Sequence, residues 1–99
     1  MIIKVFLIMY IGENPMSIYK IRDAEMEESA VHWNGKLFRT LVEVNSFETA
    51  MEVIRYLGIE EYEYIDKYKY LRATLSSQEL KNISMLSGVH FIWKDNGEI

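Results

Sequence analysis

Ile2 to Ile11 reads IIKVFLIMYI, ten residues among which Lys4 is the single charge, and this run constrains the fold more than any other. Its two alternate sets, Ile2/Phe6/Ile8/Tyr10 and Ile3/Val5/Leu7/Met9/Ile11, are both apolar. That pattern belongs to a strand covered on both faces, so the run is expected in the middle of a sheet. A membrane span needs about 20 apolar residues, and this run is only half that length. Before it there is no basic stretch beyond Lys4, and Gly12-Glu13-Asn14-Pro15 follows as a turn where a signal peptide would carry a small-residue cleavage site. The expectation is an intracellular protein with no membrane span and no signal peptide.

Ninety-nine residues suffice for one modest core, so residues 1–99 are read as a single domain. The formal charge is −4, which gives no general attraction to nucleic-acid backbones. With no cysteine and only His32 and His90, thiolate or histidine-rich metal sites and thiol nucleophiles are excluded. No phosphate loop, dinucleotide fingerprint or Gly-x-Ser-x-Gly elbow occurs, so no cofactor and no catalytic residue is expected. The lack of Cys, the single Gln78 and the abundance of Ile, Tyr and Glu lean toward a hot habitat.

Ser17 to Arg22 reads as a short strand, and Asp23 to Glu28 as a loop or one helical turn. Trp33-Asn34-Gly35-Lys36 carries the signature of a two-residue type I′ hairpin, which would set Val31 opposite Phe38 and Ser29 opposite Thr40. Within Leu37 to Val44, Phe38, Val42 and Val44 then share one face, while Arg39, Leu41 and Glu43 share the other. Asn45-Ser46-Phe47-Glu48 fits a capping box opening a helix with Phe47, Met51, Ile54 and Leu57 on its apolar stripe, and Gly58 ends it. A second helix opens at Ser76-Ser77-Gln78-Glu79, with Leu75 and Leu80 as a hydrophobic staple, and closes at Gly88. Val89 to Trp93 is a further strand.

Glu60 to Leu75 reads as one long strand, as a hairpin broken near Asp66-Lys67, or as a helix. With the hairpin, the chain from Leu37 runs strand, helix, strand, strand, helix, strand, the order of a ferredoxin-like split βαβ unit. The expected class is α+β: a mixed, mostly antiparallel sheet with two helices on one face and extra N-terminal strands.

Tyr62, Tyr64, Tyr68 and Tyr70 form the most distinctive cluster. Tyrosine joins a large apolar face to a polar tip and is enriched at protein interfaces. They are read as a contact surface for another protein, most simply a second copy making a homodimer, or else as half-buried sheet residues. Base stacking on the same rings, with Lys67, Lys69 and Arg72 as phosphate contacts, is the nucleic-acid alternative. The acids Glu25, Glu27, Glu28 and Glu60, Glu61, Glu63 lack an EF-hand spacing and are read as solvated faces. His32 and His90 are read as structural.

Val44 to Leu71, VNSFETAMEVIRYLGIEEYEYIDKYKYL, resembles the helix-then-tyrosine-strand portion of CYTH triphosphatase and adenylyl cyclase domains, which implies a metal-dependent phosphohydrolase. Those enzymes carry Glu-x-Glu-x-Lys on their first strand, where Ile2 to Leu7 here reads IIKVFL. As a whole, the Ile-, Tyr- and Glu-rich, Cys-free chain resembles the small proteins of filamentous viruses infecting archaea of acidic hot springs, the lipothrixvirus-like group. That likeness implies a virus-encoded protein of the host cytoplasm or the virion interior, acting by binding.

Overall fold

The computed structural model describes residues 15–97. The central strand expected over Ile2 to Ile11 lies outside these residues. Pro15–Lys20 is a 3-10 helix opened by proline, whose fixed φ suits a first helical position. Ile21 N–H then donates to Ile18 O at 2.9 Å, which spends on a local turn the donor that a strand would offer its neighbour. The strand expected over Ser17 to Arg22 is corrected accordingly: its end alone meets the sheet, through one isolated parallel bridge of Ile21 to Ile92, with Arg22 N–H donating to Ile92 O at 2.8 Å.

Helix α1, Ala24–His32, takes the helical alternative for Asp23 to Glu28 and extends it beyond one turn. The Asp23 carboxylate accepts from Met26 N–H at 3.0 Å as its N-cap. Met26, Ser29 and Ala30, spaced three and four apart, form its buried stripe. Trp33 ends it in the left-handed region at φ 50°, its N–H donating to Ser29 O. The hairpin expected at Asn34-Gly35 is therefore absent, because residues 24–32 bury a helical stripe instead of pairing with the strand that follows. Asn34 serves the exit loop: its Oδ1 accepts from Lys36 N–H at 3.0 Å and its Nδ2 donates to Ser29 Oγ at 3.1 Å.

Strand β1 is Leu37–Val44. Helix α2, Phe47–Leu57, begins one residue later than expected, since Ser46 and not Asn45 is the N-cap, accepting from Thr49 N–H; Gly58 closes it at φ 68°. Strands β2, Glu63–Ile65, and β3, Tyr70–Ser76, form the hairpin, joined by four turn residues, 66–69. Helix α3, Ser77–Ser84, opens on the anticipated capping box, with Ser76 Oγ accepting from Glu79 N–H at 3.2 Å and Glu79 Oε1 accepting from Ser76 N–H at 2.9 Å. Its staple residues Leu75 and Leu80 are fully buried. Met85, not Gly88, caps α3. Gly88 has another role: a Cβ there would lie 2.7 Å from the Thr49 side chain, so the residue lets the loop before strand β4, Val89–Lys94, approach α2.

The four strands lie in the order β2-β3-β1-β4, every neighbouring pair antiparallel. Thus β1 and β2 run parallel with β3 inserted between them, and β3 and β4 run parallel with β1 inserted between them. This is the split βαβ arrangement, and the fold is α+β. Among the described residues the four strands pair antiparallel, with the isolated parallel bridge of Ile21 at Ile92 beside them, and three α-helices, not two, serve one face. Phe38, Val42 and Val44 of β1, Leu71, Ala73 and Leu75 of β3, and Ile92 of β4 join Met26, Ala30, Val53, Ile54, Leu80 and Ile83 of the helices in one cluster. Thr40 sits in the same row, fully buried, its hydroxyl donating to Ala73 O at 2.8 Å, which offsets the cost of taking it out of water.

Truncating Ile92 to Ala, in the middle of this cluster, is expected to cost about 2 to 5 kcal/mol, whereas Ser76→Ala, which removes a cap, costs about 1 kcal/mol. Urea denaturation measures both. A loss at Ile92 no larger than that at Ser76 would contradict the placement of the core.

Candidate interaction face

The second face of the sheet follows from the register. Antiparallel partners point to the same side, so Ile65, Tyr70, Glu43 and Phe91 form one row across β2, β3, β1 and β4. Glu63, Arg72, Leu41 and Trp93 form the next, and Thr74 with Arg39 a third. The three α-helices all contribute to the opposite cluster, so among the described residues no α-helix covers this face. Leu41, only 6 % exposed, lies here between its register partners Arg72 and Trp93.

Aromatic rings border the face at both ends. Phe91 and Trp93 stand 5.8 Å apart on β4, with the Arg22 guanidinium 5.4 Å from the Phe91 ring centre. Across the sheet, Tyr68 stacks on Tyr70 at 5.6 Å, and Lys67 Nζ lies 5.4 Å from the Tyr68 ring. The turn allows this because Lys69 takes a left-handed conformation, φ 55°, and carries the chain back so that Tyr68 lies beside Tyr70.

The four tyrosines therefore separate. Tyr68 is exposed and Tyr70 half-buried, and both belong to the open face. Tyr62, exposed, borders a groove of about 210 Å³ whose walls include Arg39, Glu63, Arg72 and Asp95. Tyr64 points the other way, its ring packed edge-on against Phe47 at 5.2 Å and adjoining the core. Among the described residues its buried hydroxyl meets no hydrogen-bond partner, and burial, followed by the charges of Asp66 and Glu48, raises its pKa above the ordinary phenol value.

Charge on the open face is internally paired. Arg72 Nη1 meets Glu63 Oε1 at 2.8 Å, and its Nε meets Asp95 Oδ2 at 2.9 Å. The hydrogen bond to Glu63 is the largest influence holding the Arg72 guanidinium above its ordinary pKa, with the Asp95 charge adding to it. Asp95 has a fully buried side chain, and Arg39, mostly exposed, stands 4.0 Å from the same carboxylate. Glu43 accepts from Trp93 Nε1 at 3.1 Å and lies 3.7 Å from His90 Nδ1. Arg72, one of the three candidate phosphate contacts, is thus already engaged by two carboxylates. Lys67 and Lys69 stand in the exposed turn.

Sequence reasoning missed Leu41, Phe91, Trp93 and Asp95. A signal for three of them was present: Leu41 is apolar on the polar alternate set of β1, and Val89 to Trp93 is apolar at every position but His90. Nothing in sequence marks Asp95 as buried. Glu25, read as part of a solvated face, is exposed and pairs with Lys36 at 2.7 Å. Among the described residues no group of three or more His, Asp or Glu side chains is placed to hold a metal ion, and no helix is long and apolar enough to cross a membrane.

Because Asp95 is buried against Arg72 and only loosely approached by Arg39, Arg72→Ala is expected to lower the melting temperature clearly, and Arg39→Ala to leave it nearly unchanged. Equal effects in thermal melts would show that the carboxylate is not held as described. Comparison of the chain with protein-family models, with curated proteins and with solved structures finds no match.

Proposed function

We propose that the protein works by contact with another protein through the open face of its sheet, and that the partner is a second copy of the chain. The observation that carries this reading is the combination of apolar width and balanced charge on that face. Leu41, Ile65, Tyr68, Tyr70, Phe91 and Trp93 supply aromatic and aliphatic surface of the kind that anchors protein interfaces. Arg22, Arg39, Arg72 and Lys67 stand against Glu43, Glu63 and Asp95, four charges against three, so the face is nearly balanced while the chain carries −4. A two-fold dimer lays one patch against itself. A strongly charged patch would repel its copy there, whereas an internally paired one does not.

A strongly basic or acidic partner would gain little from a face of this kind. The nucleic-acid reading retains Tyr68, Tyr70, Lys67 and Lys69 at the hairpin turn, but Arg72 is already occupied by carboxylates, which weakens it. The phosphohydrolase reading draws no support from the described carboxylates, which gather into no metal-binding group. A virus-encoded origin in a hot habitat belongs to the same proposal and rests on composition.

Sedimentation equilibrium tests the proposal. The wild-type chain is expected to dimerise in the micromolar range, and Tyr68→Asp, at a position too exposed to unfold the domain, to weaken the dimer about tenfold or more. A wild-type chain that stays monomeric at high micromolar concentration, or a dimer indifferent to Tyr68→Asp, would overturn it.

A further inference from the structure

The chain contains two Asn-Gly pairs among the described residues, Asn34-Gly35 and Asn96-Gly97. Such pairs are prone to cyclise because glycine, lacking a side chain, leaves its backbone nitrogen accessible to the neighbouring carboxamide. The fold places the two in opposite situations, and we propose that Asn96 is a site of spontaneous deamidation assisted by the Asp95 carboxylate, while the same chemistry is blocked at Asn34.

At Asn34 every participating group is held. Oδ1 accepts from Lys36 N–H at 3.0 Å, Nδ2 donates to the Oγ of buried Ser29 at 3.1 Å, and Gly35 N–H donates to the Oγ of buried Ser77 at 3.0 Å. Ser77 N–H in turn donates to Lys36 O at 2.9 Å, so α1, the loop and α3 are tied together. The carboxamide cannot swing onto Gly35 N without breaking its own two hydrogen bonds, and the acceptor on the Gly35 N–H is a hydroxyl, which is no base.

At Asn96 the arrangement is reversed. The residue is exposed just beyond β4, and among the described residues no hydrogen bond holds its carboxamide. The acceptor on Gly97 N–H is Asp95 Oδ1 at 2.9 Å, a carboxylate within the reach a general base requires. Asp95 cannot turn away, since its Oδ2 is fixed by Arg72 Nε at 2.9 Å and its own N–H donates to Arg39 O at 2.9 Å. Gly97 stands at φ 78°, a conformation few other residues would hold.

The reaction balances without an external oxidant or reductant. Gly97 N bonds to Asn96 Cγ as its proton passes by way of the Asp95 carboxylate to the departing group. The Cγ–Nδ2 bond breaks and ammonia leaves, giving a succinimide. Water then opens the ring at either carbonyl, leaving aspartate or isoaspartate at position 96. The product adds one negative charge next to Asp95 in the chain, at the rim of a face whose charges are nearly balanced.

Peptide mapping by mass spectrometry after warm incubation at mildly alkaline pH tests this. In the native protein Asn96 is expected to convert about tenfold or more faster than Asn34, and in urea-unfolded chain at a similar rate. Asp95→Ser, which keeps an acceptor but removes the base, should slow Asn96 and leave Asn34 unchanged. Ser77→Ala should accelerate Asn34. Native conversion of Asn34 as fast as that of Asn96 would overturn the proposal by itself, with no variant required. An Asn96 rate indifferent to Asp95→Ser in a variant that keeps its native circular dichroism would overturn the role of the carboxylate.

Discussion

The described structure depends on β1 being paired along both edges while its two faces do different work. It meets β3 at seven register positions and β4 at five, so it is the strand on which the split βαβ arrangement closes. One face sends Phe38, Thr40, Val42 and Val44 into the cluster that the helices cover. The other sends out Arg39, Leu41 and Glu43, which meet Arg72, Trp93 and Phe91. Because side chains alternate along a strand, a slip of one residue would exchange these sets and place Arg39 and Glu43 in the core. The register is therefore strongly fixed, and with it the composition of the open face.

Much of this was legible. The alternation in Leu37 to Val44 assigned the faces of β1 correctly, the capping box at Ser76 and Glu79 located α3, and Gly58 marked the end of α2. Element order alone anticipated the sheet's connectivity. What failed did so where one local signal served two purposes. Asn34-Gly35 suits a type I′ turn, but the same residues also suit the exit from a helix, with the Asn34 side chain bonding the loop internally. The choice lay with Met26, Ser29 and Ala30, whose burial against α3 is a tertiary fact that a short acidic segment does not advertise. Ser17 to Arg22 failed similarly: its alternation was imperfect, and Pro15 set a helical start.

The tyrosines show why a surface is harder to read than a core. Composition identified four similar rings, but their roles were divided by parity along a hairpin and by the length of its turn. Tyr64 became a packing residue against Phe47, and Tyr68 and Tyr70 became one end of an aromatic border whose other end, Phe91 and Trp93, comes from a distant strand. Asp95 illustrates the same limit. A carboxylate in a polar tail reads as solvated, yet chain folding brings it against Arg72, where its burial is compensated by a charged partner.

The central claim is that the open sheet face, and not the helical side, is where this protein meets its partner. A concentration series of two-dimensional NMR spectra tests it most directly, because each backbone amide reports on its own surroundings. The account predicts that on raising the concentration the shifts move at Leu41, Tyr68, Tyr70, Arg72, Phe91 and Trp93, while α1, α2 and α3 stay still. Shifts confined to the helices, or none anywhere at high concentration, would contradict it.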